Sequence, residues 1–262
     1  MLLETLEMNF WRAPIDNDFG AWKIDKRPHD SIYFEFRKAA SSYELRQLDT
    51  EKTKSGGFRL KYLFDHPLLN ATNQITYIVQ PDGSLDVECS LQPEDPDKLK
   101  YIPRYGMRLA IADEYQNVNY YGRGPFENYE DRNTAAFMGD YSAVVSDFYV
   151  PYIRPQENGY RTDVKDLKFQ NNNGDGIQFM AWDKIGFSAH NIPQEDFDPG
   201  SLKAQRHTID IQPKDKVWIH IDFKQTGVGG DNSWSKEGLA NDEYKIDPTK
   251  CKFGFTISSI TK

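Results

Sequence analysis

The chain has 262 residues, 32 of them Lys or Arg and 40 Asp or Glu, so its formal charge is −8. That balance excludes the basic footprint of a dedicated nucleic-acid or anionic-membrane binder, and no stretch approaches the ~20 apolar residues of a membrane span. The two cysteines, Cys89 and Cys251, lack C-x-x-C spacing; this excludes a disulfide framework or zinc ribbon, and they read as small core residues.

Strand patterns dominate the chain. Residues 31–37 (SIYFEFR) alternate as a strand. Residues 43–49 and 58–64 form a pair around the turn-prone Lys54-Ser55-Gly56-Gly57, and residues 73–80 and 84–92 form a hairpin around Pro81-Asp82-Gly83. In the second half, 161–170 returns through an Asn/Gly-rich turn at 171–176 into 177–182. Further strands are predicted at 186–191, 201–211, 216–225 and 252–260. Helical turns fit only 18–26, 131–137 and 193–197. Strands at about ten-residue spacing predict an all-β antiparallel sandwich, and the absence of a low-complexity linker predicts one domain over 1–262. The aromatic content, 14%, calls for rings that pack inward or stack on a sugar. The opening residues show no basic-then-apolar leader pattern, and an aromatic cluster this close to the start is expected of a segment cut from a longer chain.

Four segments mix charges, rings and glycines. In residues 10–18 (FWRAPIDND), Asp16-Asn17-Asp18 could ligate calcium, or Arg12 and Asp16 could hold sugar hydroxyls. The EF-hand spacing fails because Gly20 is misplaced, and an ion-paired turn anchored by Trp11 is the plainer reading. Residues 120–132 (YYGRGPFENYEDR) read as a loop that is not a nucleotide loop. Its Glu127, Glu130 and Asp131 could supply the two carboxylates of a glycoside hydrolase, or simply pair with Arg123 and Arg132. Residues 149–161 (YVPYIRPQENGYR) suit a polyol surface or a rigid connector. In residues 227–235 (GVGGDNSWS), Trp234 either presents a flat face to a sugar or packs beneath its loop. The histidines, His29, His66, His190, His207 and His220, show no metal spacing. His190 and His220 fall on strands, as core or cleft histidines, and one of them opposite a glutamate would permit sugar epimerisation.

Taken in order, NFWRAPIDND (9–18), YYGRGPFENYEDR (120–132), YVPYIRPQENGYR (149–161) and GVGGDNSW (227–234) resemble the C-terminal domain of bacterial β-galactosidases of glycoside hydrolase family 2. The resemblance implies a large antiparallel supersandwich like that of galactose mutarotase. It also implies a place at the end of a longer chain that hydrolyses terminal β-D-galactosides such as lactose with retention, the catalytic glutamates lying in an upstream (β/α) barrel. By the same resemblance, this domain holds no cofactor, and Mg or Na ions belong to the absent catalytic domain. Its partners are the β-galactoside, the upstream domains and further copies of the parent, with no nucleic acid and no membrane span. Trp234 is implied to stack on the aglycone sugar, with Gly229, Gly230, Asp231 and Asn232 shaping its loop. Glu157, Asn158 and Arg161 are candidates for the cleft rim, and Arg12, Asp16 and Asp18 for its floor or the barrel interface. Asn232 stands where an Asp is common. The alternatives are a free-standing carbohydrate-binding or mutarotase-like domain, and a packing platform that exposes an apolar patch when isolated.

Overall fold

Alternation along the chain becomes pleat. In the computed structural model, which describes residues 1–24, 32–198 and 207–261, Ala71, Asn73 and Ile75 turn inward while Thr72, Gln74 and Thr76 stay half-exposed. This strand, β4 (Ala71–Val79), follows β1 (Leu2–Asn9), β2 (Glu44–Lys52) and β3 (Phe58–His66) and precedes β5 (Leu85–Pro93), β6 (Arg104–Ala112), β7 (Asn117–Gly124) and β8 (Phe137–Val144). The remainder are β9 (Arg161–Gln170), β10 (Gly176–His190), β11 (Lys216–Gln225) and β12 (Lys252–Ile260). The β4–β5 turn works as its chemistry dictates, with Gly83 at φ +85° and the Asp82 carboxylate accepting the Ser84 N–H at 2.9 Å.

Among the described residues the strands form one antiparallel sheet in the order β1-β6-β11-β10-β12-β5-β4-β3-β2. Strands β9, β7 and β8 branch from β10. The branch is possible because β10 is 15 residues long: its first half pairs with β12, its second with β11, and β9 follows it on the other side through a register shift between Met180 and Ile185. The fold is all-β, the sheet curled into a half-barrel. Its inner face is packed with rings, among them Tyr105, Phe169, Phe179, Phe187, Phe253 and Phe255, several meeting edge to face. Cys89 and Cys251 are both buried and unbridged.

Several expectations are corrected. Residues 32–37 are helical, not extended, and lie in α2 (Ile32–Ala39); residue 31 is outside the described residues. The short apolar run satisfies both periods, and the helix prevails because Tyr33, Phe36 and Ala40 then share one face against the core. The helix predicted over 18–26 is α1 (Asp16–Ala21), two residues earlier and shorter, with 25 and 26 outside the described residues. Of the strand expected at 201–211, residues 201–206 lie outside the described residues and Thr208–Asp210 form a single 3-10 turn. Residues 131–137 turn into β8 without a helix, whereas Gln194–Phe197 do form a 3-10 turn. The first half of the 120–132 segment is the end of β7 rather than loop, since Tyr120, Gly122 and Gly124 alternate inward. Strands β1, β6, β7 and β8 were not predicted.

Candidate functional site

The four segments converge on the loop that carries Trp234. The buried guanidinium of Arg12 donates from Nε and Nη2 to the two Asp18 carboxylate oxygens, each at 3.1 Å, and reaches the carbonyls of Thr226 and Gly227 at the start of the glycine loop. Asp18 also accepts the Ile15 N–H at 3.1 Å, so the pair fixes the entry to α1. Asn17 donates to the Val228 carbonyl at 3.2 Å. At Gly20 a Cβ would lie 2.3 Å from the Trp234 Cα, so the loop backbone rests directly on α1. From the second segment, the Asp131 carboxylate accepts the N–H of Val228 at 3.0 Å and of Gly229 at 2.6 Å.

The tip of the loop is ordered by its own side chains. Asn232 Oδ1 accepts the N–H groups of Trp234 and Ser235 at 3.0 and 2.9 Å, a turn that an amide makes as well as a carboxylate. Exposed Asp231 donates its backbone N–H to the Glu237 carbonyl at 2.7 Å. Trp234 is 74% exposed. The alternative of an indole tucked beneath its loop is thereby corrected.

The third segment forms the neighbouring wall. Glu157 donates its N–H to the Ala13 carbonyl at 3.2 Å, and Gln156 exchanges bonds with the side chain and backbone of Asp16, both at 3.3 Å. Asn158 is buried, its Oδ1 accepting the Val150 N–H at 3.0 Å. Arg161, also buried, donates to the Pro125, Gly159 and Tyr160 carbonyls and to the Tyr120 hydroxyl. Gly159 sits at φ +75°, and a Cβ there would lie 2.2 Å from the Phe148 carbonyl oxygen, so the turn requires glycine. Its N–H is received at 2.8 Å by Glu127, which also takes Arg132 and the Tyr152 hydroxyl. The result is a polar cleft of about 200 Å³ lined by Asp16, Asn17, Tyr129, Arg132, Tyr152, Glu157 and their neighbours. Of the residues singled out from the sequence, Asp16 and Glu157 line this cleft. Arg12, Asp18, Asn158, Arg161 and Asn232 brace it or the loop, while Asp231 and Trp234 stand exposed on the loop.

Sequence reasoning missed the groups behind Glu157. Fully buried Arg104 donates to Asp222 at 2.9 Å, to Glu157 at 3.2 and 3.3 Å, and to Gln194 at 2.6 Å, while Gln225 donates to Glu157 at 2.9 Å. Burial pushes the Asp222 carboxyl up to about 7 against the pull of Arg104. Burial also lowers His190 to about 4 and holds His220 well below its ordinary range. Glu157, His190 and His220 do share a cavity, but its volume is about 10 Å³, room for one water and not for a sugar. The signal that could have led to Arg104 is an arginine opening a run that, apart from Arg108, is apolar or glycine.

Fold and site together define an all-β domain that presents an anchored, exposed indole beside a polar cleft. The chain belongs to the β-galactosidase small-chain family, whose model matches residues 1–257. A β-galactosidase from Alteromonas mediterranea is 32% identical over 90% of this chain and 22% of its own length. One from Priestia megaterium is 31% identical over 92% and 22%, and one from Oenococcus oeni 33% identical over 89% and 22%. The chain thus spans less than a quarter of the curated relatives it matches. Among solved structures, the α-galactosidase from Lactobacillus brevis overlays 84% of this chain and 26% of its own at 10% identity, with a TM-score of 0.39.

Proposed function

We propose that this chain is the terminal, mutarotase-like supersandwich domain of a family 2 β-galactosidase, and that it completes the aglycone side of a substrate site whose catalytic glutamates lie in an upstream (β/α) barrel. The observation that carries the reading is the exposed Trp234 on a loop tied down by Arg12, Asn17 and Asp131. An indole this exposed has no packing role within the chain, and holding it still lowers the entropy lost when a sugar face stacks on it. Asp16 and Glu157, on the cleft wall, are the candidates for hydroxyl contacts. Arg12, Asp18, Asn158 and Arg161 serve that wall through the backbone. The epimerase alternative gains no support, because its histidines share with Glu157 only a water-sized cavity.

Bond cleavage is retaining in this reading and belongs to the barrel; the domain contributes positioning. In the parent enzyme, Trp234→Ala is expected to raise KM for lactose by about 5-fold, the worth of roughly 1 kcal/mol of stacking. The change for an aryl galactoside lacking the second sugar should be smaller. An unchanged KM for lactose removes Trp234 from the site.

A further inference from the structure

The order of strands leaves β1 and β2 as the ends of the main sheet path, and a groove of about 480 Å³ runs between β1 and the β3–β4 pair. Its two walls differ in kind. On one side Tyr62 and Phe64 of β3 and Tyr77 of β4 lie on the same face of the ladder, where Tyr62 opposes Ile75 and Tyr77 opposes Leu60. The Tyr62 and Phe64 rings are parallel within 3° at 5.7 Å, and Tyr77 meets Tyr62 nearly edge-on. All three rings are only half-buried, so ring area remains open. On the other side Arg108 of β6 holds Glu7 of β1 at 3.4 Å and Glu195, and all three side chains stay partly exposed. This ionic triad has one net negative charge.

A surface that is aromatic on one side and hydrogen-bonding on the other has the two-sidedness of a pyranose, whose C–H face stacks on rings while its hydroxyls reach polar groups. An acyl chain would desolvate the triad and offer its excess negative charge no compensating group. An added β-strand would pair with the free edge of β1, whereas the opposite wall, Tyr62, Phe64 and Tyr77, presents ring faces for which such a strand has no requirement. A uronate or phosphate would meet the triad's net negative charge, since Arg37, the other cation of the groove lining, is held by Asp198 at 3.1 Å. The volume lies within the range of small-molecule sites.

We propose that this groove is a second saccharide site, taking a neutral hexose or disaccharide with its C–H face on Tyr62 and Tyr77 and its hydroxyls on Glu7, Arg108 and Glu195. It shares no lining residue with the Glu157 cleft and does not depend on the role of Trp234.

The test is saturation-transfer NMR and calorimetric titration of the 262-residue chain with galactose, lactose and galacturonate. Expected are millimolar binding of the two neutral sugars, weaker binding of galacturonate, and a loss of roughly 5-fold or more with Tyr77→Ala. Arg108→Gln, at a partly exposed position, supplies the same reading if Tyr77→Ala does not keep the wild-type circular dichroism. The proposal is overturned if neither neutral sugar binds, if galacturonate binds as tightly, or if binding persists in both groove variants and vanishes in Trp234→Ala. Sedimentation showing a dimer that either groove variant dissociates would give the groove to a second copy and overturn it as well.

Discussion

Asp131 reaches across 97 and 98 positions to receive two N–H groups of the glycine loop, one on each carboxylate oxygen, an arrangement that an amide with its single acceptor oxygen does not reproduce. Trp234 stood out in the sequence as a ring beyond a run of glycines, with an exposed and a tucked-under indole equally open, and only the family resemblance pointed it toward a sugar. Asp131 did not, since next to Arg132 it reads as one half of a surface ion pair, whereas Arg132 in fact pairs with Glu127. Glycines 227, 229 and 230 expose backbone donors that need an acceptor, but the sequence does not say which of 40 carboxylates supplies it. As a positioning residue, Asp131 should act on binding through Trp234. In the parent enzyme, Asp131→Ala is expected to raise KM for lactose by up to about 5-fold, bounded by the roughly 1 kcal/mol of stacking that it supports, with kcat little changed. Asp131→Asn, which keeps one acceptor oxygen, should fall between. Combined with Trp234→Ala, it should add almost nothing, and additive effects in that double-mutant cycle would show that the two residues act independently.

At the scale of elements, the strands with a stretch of alternation, Leu167/Phe169, Val217/Ile219/Ile221 and Phe253/Phe255, were readable: β9, β11 and β12 run over the predicted residues 161–170, 216–225 and 252–260. Strand β6 was not, because it lies between β1 and β11 and is buried on both faces, so no alternation marks it. Its sequence, RYGMRLAIA, even begins with an arginine whose charge is balanced only by residues 53 and 118 positions away. The helix α2 failed for the opposite reason, a short aromatic run that fits two periods. Within β6, Gly106 sits opposite Asp222 of β11, and a Cβ there would lie 1.9 Å from Asp222 Oδ1 and 2.7 Å from its Cα. The second contact is backbone, so rotation of the carboxylate cannot relieve it. Gly106→Ala should therefore destabilise the chain by about 1–3 kcal/mol through overpacking at the β6–β11 pairing. Denaturant unfolding checks this; a midpoint equal to wild type would mean the two strands separate at little cost.

On the whole-molecule scale, the order of the four segments was visible in the sequence, and their convergence was not, because it depends on a curled sheet bringing residues 12, 131, 157 and 234 to one region. Behind that region, Arg104 joins β6, Asp222 of β11 and Glu157 of the cleft wall, one cation to two carboxylates in a dry interior. This imbalance has a pH signature. Asp222 titrates near 7 in the folded chain against an ordinary 3.8, so the folded state binds the proton more tightly than the unfolded one. The stability it contributes is full below about 3.8 and is lost as pH rises to about 7. His190 works the other way, its stability present above 6.5 and lost as pH falls toward 4. The two slopes oppose each other in wild type, and Asp222→Asn removes one of them, since burial, not Asp222, holds His190 neutral. Measured by calorimetry from pH 4 to pH 8, the variant's Tm should climb relative to wild type up to about pH 7 and the difference should then level, with a total gain of a few kcal/mol. A difference that stays flat across that range, or falls, would mean that Asp222 is already ionised beside Arg104 at acid pH, and that the ion pair outweighs the desolvation of its charge.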